Sequence, residues 1–218
     1  YTNGDLVQIK SKDIGSRINE SIGKLIDAVY HKLSYIDTIV TESHIRSVLK
    51  GSNNGQVTIE GTNSIPNKLA LNDMLDFISG NSIRHAKTSM KSIMERFSKA
   101  PYGFVEDDVE WLVAKLFKDA DISLFVNNEV VTLLNKSDDE VYRYLNRKEY
   151  LEKLLTDKRE KANDKQKKSV REVMKELFNL TPMNDDDDSI LKSFQQHASN
   201  LKNDLEKLEI HYKNEPSY

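Results

Sequence analysis

Between Pro101 and Leu133 the apolar spacing changes from the period of a helix to that of a strand. That switch constrains the fold more than any other stretch. Val109, Leu112, Val113, Leu116 and Phe117 recur at i, i+3, i+4, i+7 and i+8, one side of a helix. After Asp119-Ala120-Asp121, residues Ile122, Leu124 and Val126 alternate with Ser123 and Phe125, as in a half-buried strand. Asn127-Asn128 suits a two-residue primed turn, because Asn tolerates positive φ. That register pairs Leu124 with Val131 and Ile122 with Leu133. Upstream, Pro101 cannot continue a helix, and Gly103 permits a turn that other residues resist. Glu106, Asp107 and Asp108 suit a helix N-terminus, where the dipole favours negative charge. Residues 100–134 therefore predict a corner, an amphipathic helix and a hairpin.

The flanking sequence is helical. Ile14, Ile18, Ile22, Leu25, Ile26, Val29 and Leu33 keep helical spacing and predict a helix over 11–34. Thr41 or Ser43 caps a short helix over 43–50 that Gly51 ends. Residues 51–67 form a loop rich in Gly, Ser and Asn, with one short strand at 56–60. A helix follows Pro66 with Gly80 as its stop, and another spans 82–99 with Ile83, Met90, Ile93, Met94 and Phe97 inward. Ser137 with Glu140 matches a capping box, and Val141, Tyr144, Leu145, Leu151, Leu154 and Leu155 supply the apolar side of the helix it opens. Residues 157–168 are almost wholly polar. Val170, Val173, Met174, Leu177 and Phe178 then resume the helical period until Thr181-Pro182 breaks it. From Ser189, residues Leu191, Phe194, Ala198, Leu201, Leu205, Leu208 and Tyr212 step by 3 and 4 alternately, the heptad of a long helix that packs in a hairpin, a bundle or an intermolecular coiled coil.

These patterns predict a mainly α fold with a small β-hairpin. A winged-helix-like central unit is followed by a long helical hairpin or bundle. The expected divisions are an N-terminal helical region over 1–66, the winged-helix-like unit over 67–136 and the long-helix hairpin over 137–218. The order helix, helix, turn, helix, hairpin suggests the winged helix, an architecture that serves both DNA binding and protein contact.

Chemistry is sparse. With 218 residues and no Cys, the chain has no disulfide framework and no thiolate. No apolar run reaches the roughly 18 residues that span a bilayer. Gly51-Ser52-Asn53-Asn54-Gly55 does not continue into Gly-Lys-Ser/Thr, so no phosphate-cradling loop is formed. His31, His44, His85, His197 and His211 lack zinc-ligand spacing. The acidic run 185–188 lacks the spaced ligands and central Gly of a calcium loop, and reads as a solvated loop or a helix start. No catalytic, cofactor or metal residue is expected here. Two basic surfaces remain: a helix face carrying Arg84, Lys87, Lys91, Arg96 and Lys99, and the run 158–171. Either could neutralise phosphates, but a solvated face fits the net charge of −3 better. As the recognition helix of a DNA reader, the 106–118 helix would present Glu106, Asp107, Asp108 and Glu110, which phosphates repel. The interaction candidates on the last helix are Leu191, Phe194, Leu201, Leu205 and Leu208.

Pro101-Tyr102-Gly103-Phe104, followed by Asp107-Asp108-Val109-Glu110-Trp111-Leu112-Val113-Ala114-Lys115-Leu116-Phe117, resembles the large P-loop ATPase component of BREX phage-defence systems, the BrxC or PglY type. The likeness continues through Leu124–Asn128, Lys165–Phe178 and Asn203–Ile210, and is looser in the first half. It implies a segment of a longer cytoplasmic bacterial protein, in keeping with a first residue that is not Met. The family's ATP-binding motifs match no position, so ATP and Mg belong to the parent protein. The implied partners are other BREX proteins, a PglZ-type phosphatase-like protein and a PglX-type methyltransferase, with self-association or DNA as further options and no membrane. The expectation is a non-catalytic interaction and scaffold segment. Its rival is a DNA-binding winged-helix module of the same ATPase.

Overall fold

A computed structural model of the chain describes residues 6–51, 65–133, 135–180 and 187–214. It divides into two compact units, Tyr1–Arg159 and Glu160–Tyr218. The mainly α class with a small antiparallel sheet holds.

The N-terminal unit is built around one helix and one sheet. Its helices are α1 (Ile14–Val29), α2 (Glu42–Lys50), α3 (Lys68–Ile83), α4 (Met90–Phe97), α5 (Glu106–Lys118) and α6 (Asp138–Asn146). Its strands are β1 (Thr88–Ser89), β2 (Ile122–Val126), β3 (Glu129–Val131) and β4 (Leu154–Lys158), in the sheet order β1-β4-β2-β3 with every pair antiparallel. Asn127 and Asn128 turn the β2–β3 hairpin at φ 53° and 66°, and Leu124 faces Val131 as expected. Ile122 does not face Leu133. β3 stops at Val131, and Ile122 faces Lys158 of β4 instead.

β4 lies where the spacing of Leu151, Leu154 and Leu155 predicts a helix. Leu154 and Thr156 are buried on the inner face of the sheet while Leu155 points the other way. The chain leaves α6 at Arg147 in an extended conformation, and β2 offers an unpaired edge that β4 fills along five residue pairs. Tertiary pairing outweighs the helical spacing of Leu151, Leu154 and Leu155. The first compact unit, which holds α1 to α6 and the whole sheet, runs to Arg159.

The helix expected over 82–99 is two elements. α3 runs through Gly80 to Ile83, where a Cβ on Gly80 would meet nothing within 4 Å. His85 then takes a left-handed conformation at φ 57°, β1 follows, and Ser89 caps α4 by accepting from the Ser92 N–H at 3.2 Å. Other caps agree with the sequence. Gly51 ends α2 at φ 71°, and Ser137 and Glu140 cap α6 reciprocally. Thr41 precedes α2, its N–H donating to His44 Nδ1 at 3.1 Å.

The Pro101–Gly103 corner lies in the core. Tyr102 and Phe104 are buried, and Phe97 meets both rings at centroid distances of 4.5 and 5.9 Å. The Tyr102 hydroxyl donates to Asp73 at 3.0 Å, and Lys32 pairs with the same carboxylate. Gly103 is required twice over. Its φ is 72°, and a Cβ there would sit 2.7 Å from Tyr30 Cδ1.

The C-terminal unit contains α7 (Asp164–Phe178) and α8 (Asp187–Asn214). Asn163 and Gln166 cap α7 reciprocally at 2.9 Å, a box the polar run concealed. Asp187, at the start of α8, pairs with Lys167 near the start of α7 and accepts from the Ala162 N–H. Phe178, at the end of α7, meets Phe194 and His197 of α8. Both contacts advance together along the chain, so the helices run side by side in the same direction. The strand at 56–60, the break at Thr181-Pro182 and the first half of the acidic run 185–188 lie outside the described residues.

Candidate interaction surfaces

α5 takes the place of the recognition helix in a winged helix, between α4 and β2. Its sequence predicts one apolar side. The structure buries Val109, Trp111, Leu112, Val113 and Ala114 consecutively around Glu110, and Leu116 and Phe117 after them. α2, α3, α4, α6 and β2 all pack against α5. A helix that enters a major groove must leave a face open. α5 leaves none over its middle turns.

The acidic start of α5 separates into two environments. Glu106 and Asp107 are exposed. Asp108 is buried and accepts from the Val105 N–H at 3.3 Å. Burial raises its carboxyl above the ordinary range. Glu110 is only 2% exposed. Burial first, then the charges of Asp107, Glu106 and Glu42, push its carboxyl up to about 7, against a hydrogen bond from Asn146 that lowers it. Its Oε2 has no hydrogen-bond partner among the described residues. On α2, Arg46 is held by Glu42 at 2.7 Å and Asp139 at 2.6 Å, and stacks 4.0 Å from the Tyr142 ring centroid. By sequence alone Glu110 groups with Glu106, Asp107 and Asp108 as an outward-facing acid. Trp111 and Ala114 were the available signal, since apolar residues outside the main stripe mark a helix covered on more than one side.

The five basic candidates do not share one helix face. Arg84 closes α3 and Lys87 lies before β1. Lys91 and Arg96 belong to α4, and Lys99 follows it. Three of them have partners within the unit. Lys87 sits 3.5 Å from the Phe125 ring centroid on the outer side of β2, Lys91 pairs with Glu152 at 2.7 Å, and Arg96 lies 4.5 Å from the Phe77 centroid. All five are exposed. Residues 158–171 are likewise divided between β4, the segment after it and α7.

On α8 the heptad residues fall into two groups. Phe194 and Ala198 are half-buried, next to the buried Ile190 that precedes the heptad, and Phe194 stacks edge-on against Phe178 at 5.8 Å. Leu191, Leu201, Leu205 and Leu208 are exposed. Leu177, Phe178, Ala198, Leu201 and Leu205 line an open groove where α7 ends. α1 carries a second such stripe: Ile14, Ile18, Ile22 and Leu25 are exposed, and no residue of the helix is buried.

Among the described residues no group of His, Asp and Glu is placed to hold a metal ion, and no helix is long and apolar enough to cross a membrane.

Residues 32–160 match the winged helix-turn-helix domain of the BREX ATP-binding protein BrxC, and residues 166–218 match that protein's alpha helical domain. The first match alone spans more than half of the chain. The chain belongs to the BREX ATP-binding protein BrxC family. No solved structure matches it. The BrxC winged-helix match ends one residue from the close of the N-terminal unit and includes α6 and β4. The BrxC helical match covers most of α7 and all of α8. α1 precedes both.

Proposed function

We propose that this part of the BrxC protein is a non-catalytic interaction and scaffold segment of a BREX ATPase. It makes protein–protein or inter-protomer contacts, and ATP and Mg are handled elsewhere in the parent protein. The observation that carries the reading is the apolar stripe of α8 at Leu201, Leu205 and Leu208, which lies in the open beyond α7. A stripe of this kind favours contact with another helix. The partners expected are other BREX proteins, of the PglZ-type phosphatase-like and PglX-type methyltransferase classes. The setting expected is phage defence in the bacterial cytoplasm. Pull-down of BREX components by the full-length ATPase, with and without this segment, tests the reading. Loss of components on deletion is expected; unchanged assembly would refute it.

The winged-helix family favours a second reading, DNA binding. Coverage of α5 and the internal partners of Lys87, Lys91 and Arg96 weigh against it. Titration with duplex DNA at two salt concentrations separates the two. Binding with a clear salt slope, lost in Lys87→Glu/Lys91→Glu, would favour DNA. The interaction reading expects no such slope.

A further inference from the structure

The distal part of α8, from Leu201 to Tyr212, is the least covered apolar surface of the C-terminal unit. Leu205 and Leu208 are 56% and 51% exposed, and Tyr212 is 72% exposed. In the heptad, Leu205 and Tyr212 occupy a positions and Leu201 and Leu208 occupy d positions. Lys202 and Glu209 flank the stripe at e, and Asp204 and His211 flank it at g. A strict a/d stripe is the narrow seam of a two-stranded coil. A short helix with no partner is marginal in water. We propose that a second copy of this chain covers the stripe in an antiparallel contact, with Leu205 of one copy against Leu208 of the other. The inference rests on the interaction reading above and names its partner.

Charge selects the direction and the register. In a parallel pair each g residue faces the e residue five positions on in the other helix. Asp204 would then oppose Glu209, twice by symmetry. In an antiparallel pair e faces e and g faces g. With Leu205 opposite Leu208, Leu201 falls opposite Tyr212, Lys202 opposite Glu209, and Asp204 opposite His211, each twice. Sliding the pair by one heptad, so that Leu201 faces Leu205, sets Lys202 against Lys202 and Asp204 against Asp204. That slide also draws on Phe194 and Ala198, which already pack in the pair with α7. The register with matched charges is therefore the one that uses only the uncovered part of α8. The ion pairs within the helix, Lys202–Glu206 at 3.7 Å, Asp204–Lys207 at 3.5 Å and Glu209–Lys213 at 2.6 Å, compete for these charges but leave the a/d stripe clear. A contact of this length is small, so the association is weak and concentration-dependent.

Sedimentation velocity of the chain over a concentration series tests the proposal. A monomer–dimer equilibrium is expected, and Leu208→Asp is expected to abolish it. Leu208 is exposed, so far-UV circular dichroism of that variant should match the parent. Glu209→Lys is expected to weaken the dimer roughly two- to tenfold, the scale of two exposed ion pairs turned repulsive. Lys202→Glu added to Glu209→Lys restores the match and the affinity. Tighter association of Glu209→Lys would mean a parallel pair and overturn the proposal, as would a dimer indifferent to Leu208→Asp. A chain that stays monomeric at every concentration, yet is still required for BREX assembly in the pull-down, overturns the second copy and leaves the interaction reading standing.

Discussion

Glu110→Gln is the substitution whose effect the structure specifies most closely. The Glu110 carboxyl is buried between α2, α5 and α6, with Asn146 on one side and Glu42, Glu106 and Asp107 as its acidic neighbours. Folding raises it from the ordinary 4.5 to about 7. Below the lower value both folded and unfolded chains hold the proton, and the group contributes no pH dependence. Between the two values the unfolded chain releases its proton first, so stability falls as pH rises. Above the higher value the whole cost is present. A shift of this size amounts to at most about 3 kcal/mol. Gln keeps an acceptor for Asn146, replaces the carboxylate by a neutral group of the same shape, and does not titrate.

Urea unfolding of the wild type and Glu110→Gln at pH 5 and pH 8 measures this difference directly. Near pH 5 the two proteins should differ little. At pH 8 the variant should be the more stable, by roughly 1 to 3 kcal/mol. Asp108 has a raised carboxyl in both proteins and cancels from the comparison. The same difference at both pH values would refute the buried-carboxyl argument, as would a wild type that gains stability relative to the variant as pH rises.

Two further substitutions test the corner and the sheet. Gly103→Ala places a side chain at φ 72° and 2.7 Å from Tyr30 Cδ1; a loss of roughly 1 to 3 kcal/mol is expected in thermal melts, and a neutral result would remove the corner's claim on Gly. Thr156→Val deletes the hydroxyl that donates to the Thr88 carbonyl at 3.0 Å in a fully buried position; it should cost about 1 kcal/mol in urea unfolding, and no change would show that β1 holds to β4 without that bond.

The elements whose signals are local were legible in the sequence. The α5 stripe, the Asn127-Asn128 turn, the Gly51 stop and the Ser137 cap each depend on residues within a few positions of one another. What was not legible depends on distant partners. Leu154 and Thr156 become strand residues because β2 has an edge to fill. The gap between α3 and α4 has neither Gly nor Pro to mark it, since His85 takes the left-handed position. Gly80 looked like a stop and is an ordinary helical residue. Of the surfaces, the α8 stripe was visible as a heptad. Which part α7 covers was not, because that depends on the helices running in the same direction.

The chain between β2 and β4 shapes both the sheet and the cover on α5. β2 has two neighbours in the sheet: β3, reached through the Asn turn, and β4, reached only after residues 132–153. From sequence, the β2–β3 hairpin passes for a complete wing. In the structure the central pairing is β2 with β4, and the chain between them carries β3 and α6. α6 then packs against α5 together with α2, and Asn146 of α6 reaches the Glu110 carboxyl. The segment that separates β4 from β2 in sequence thus helps to cover the helix that a winged-helix reader would place in a groove. Membership of the winged-helix class says how this chain is wound, and function must be argued from the surfaces it leaves open; the middle turns of α5 are not among them.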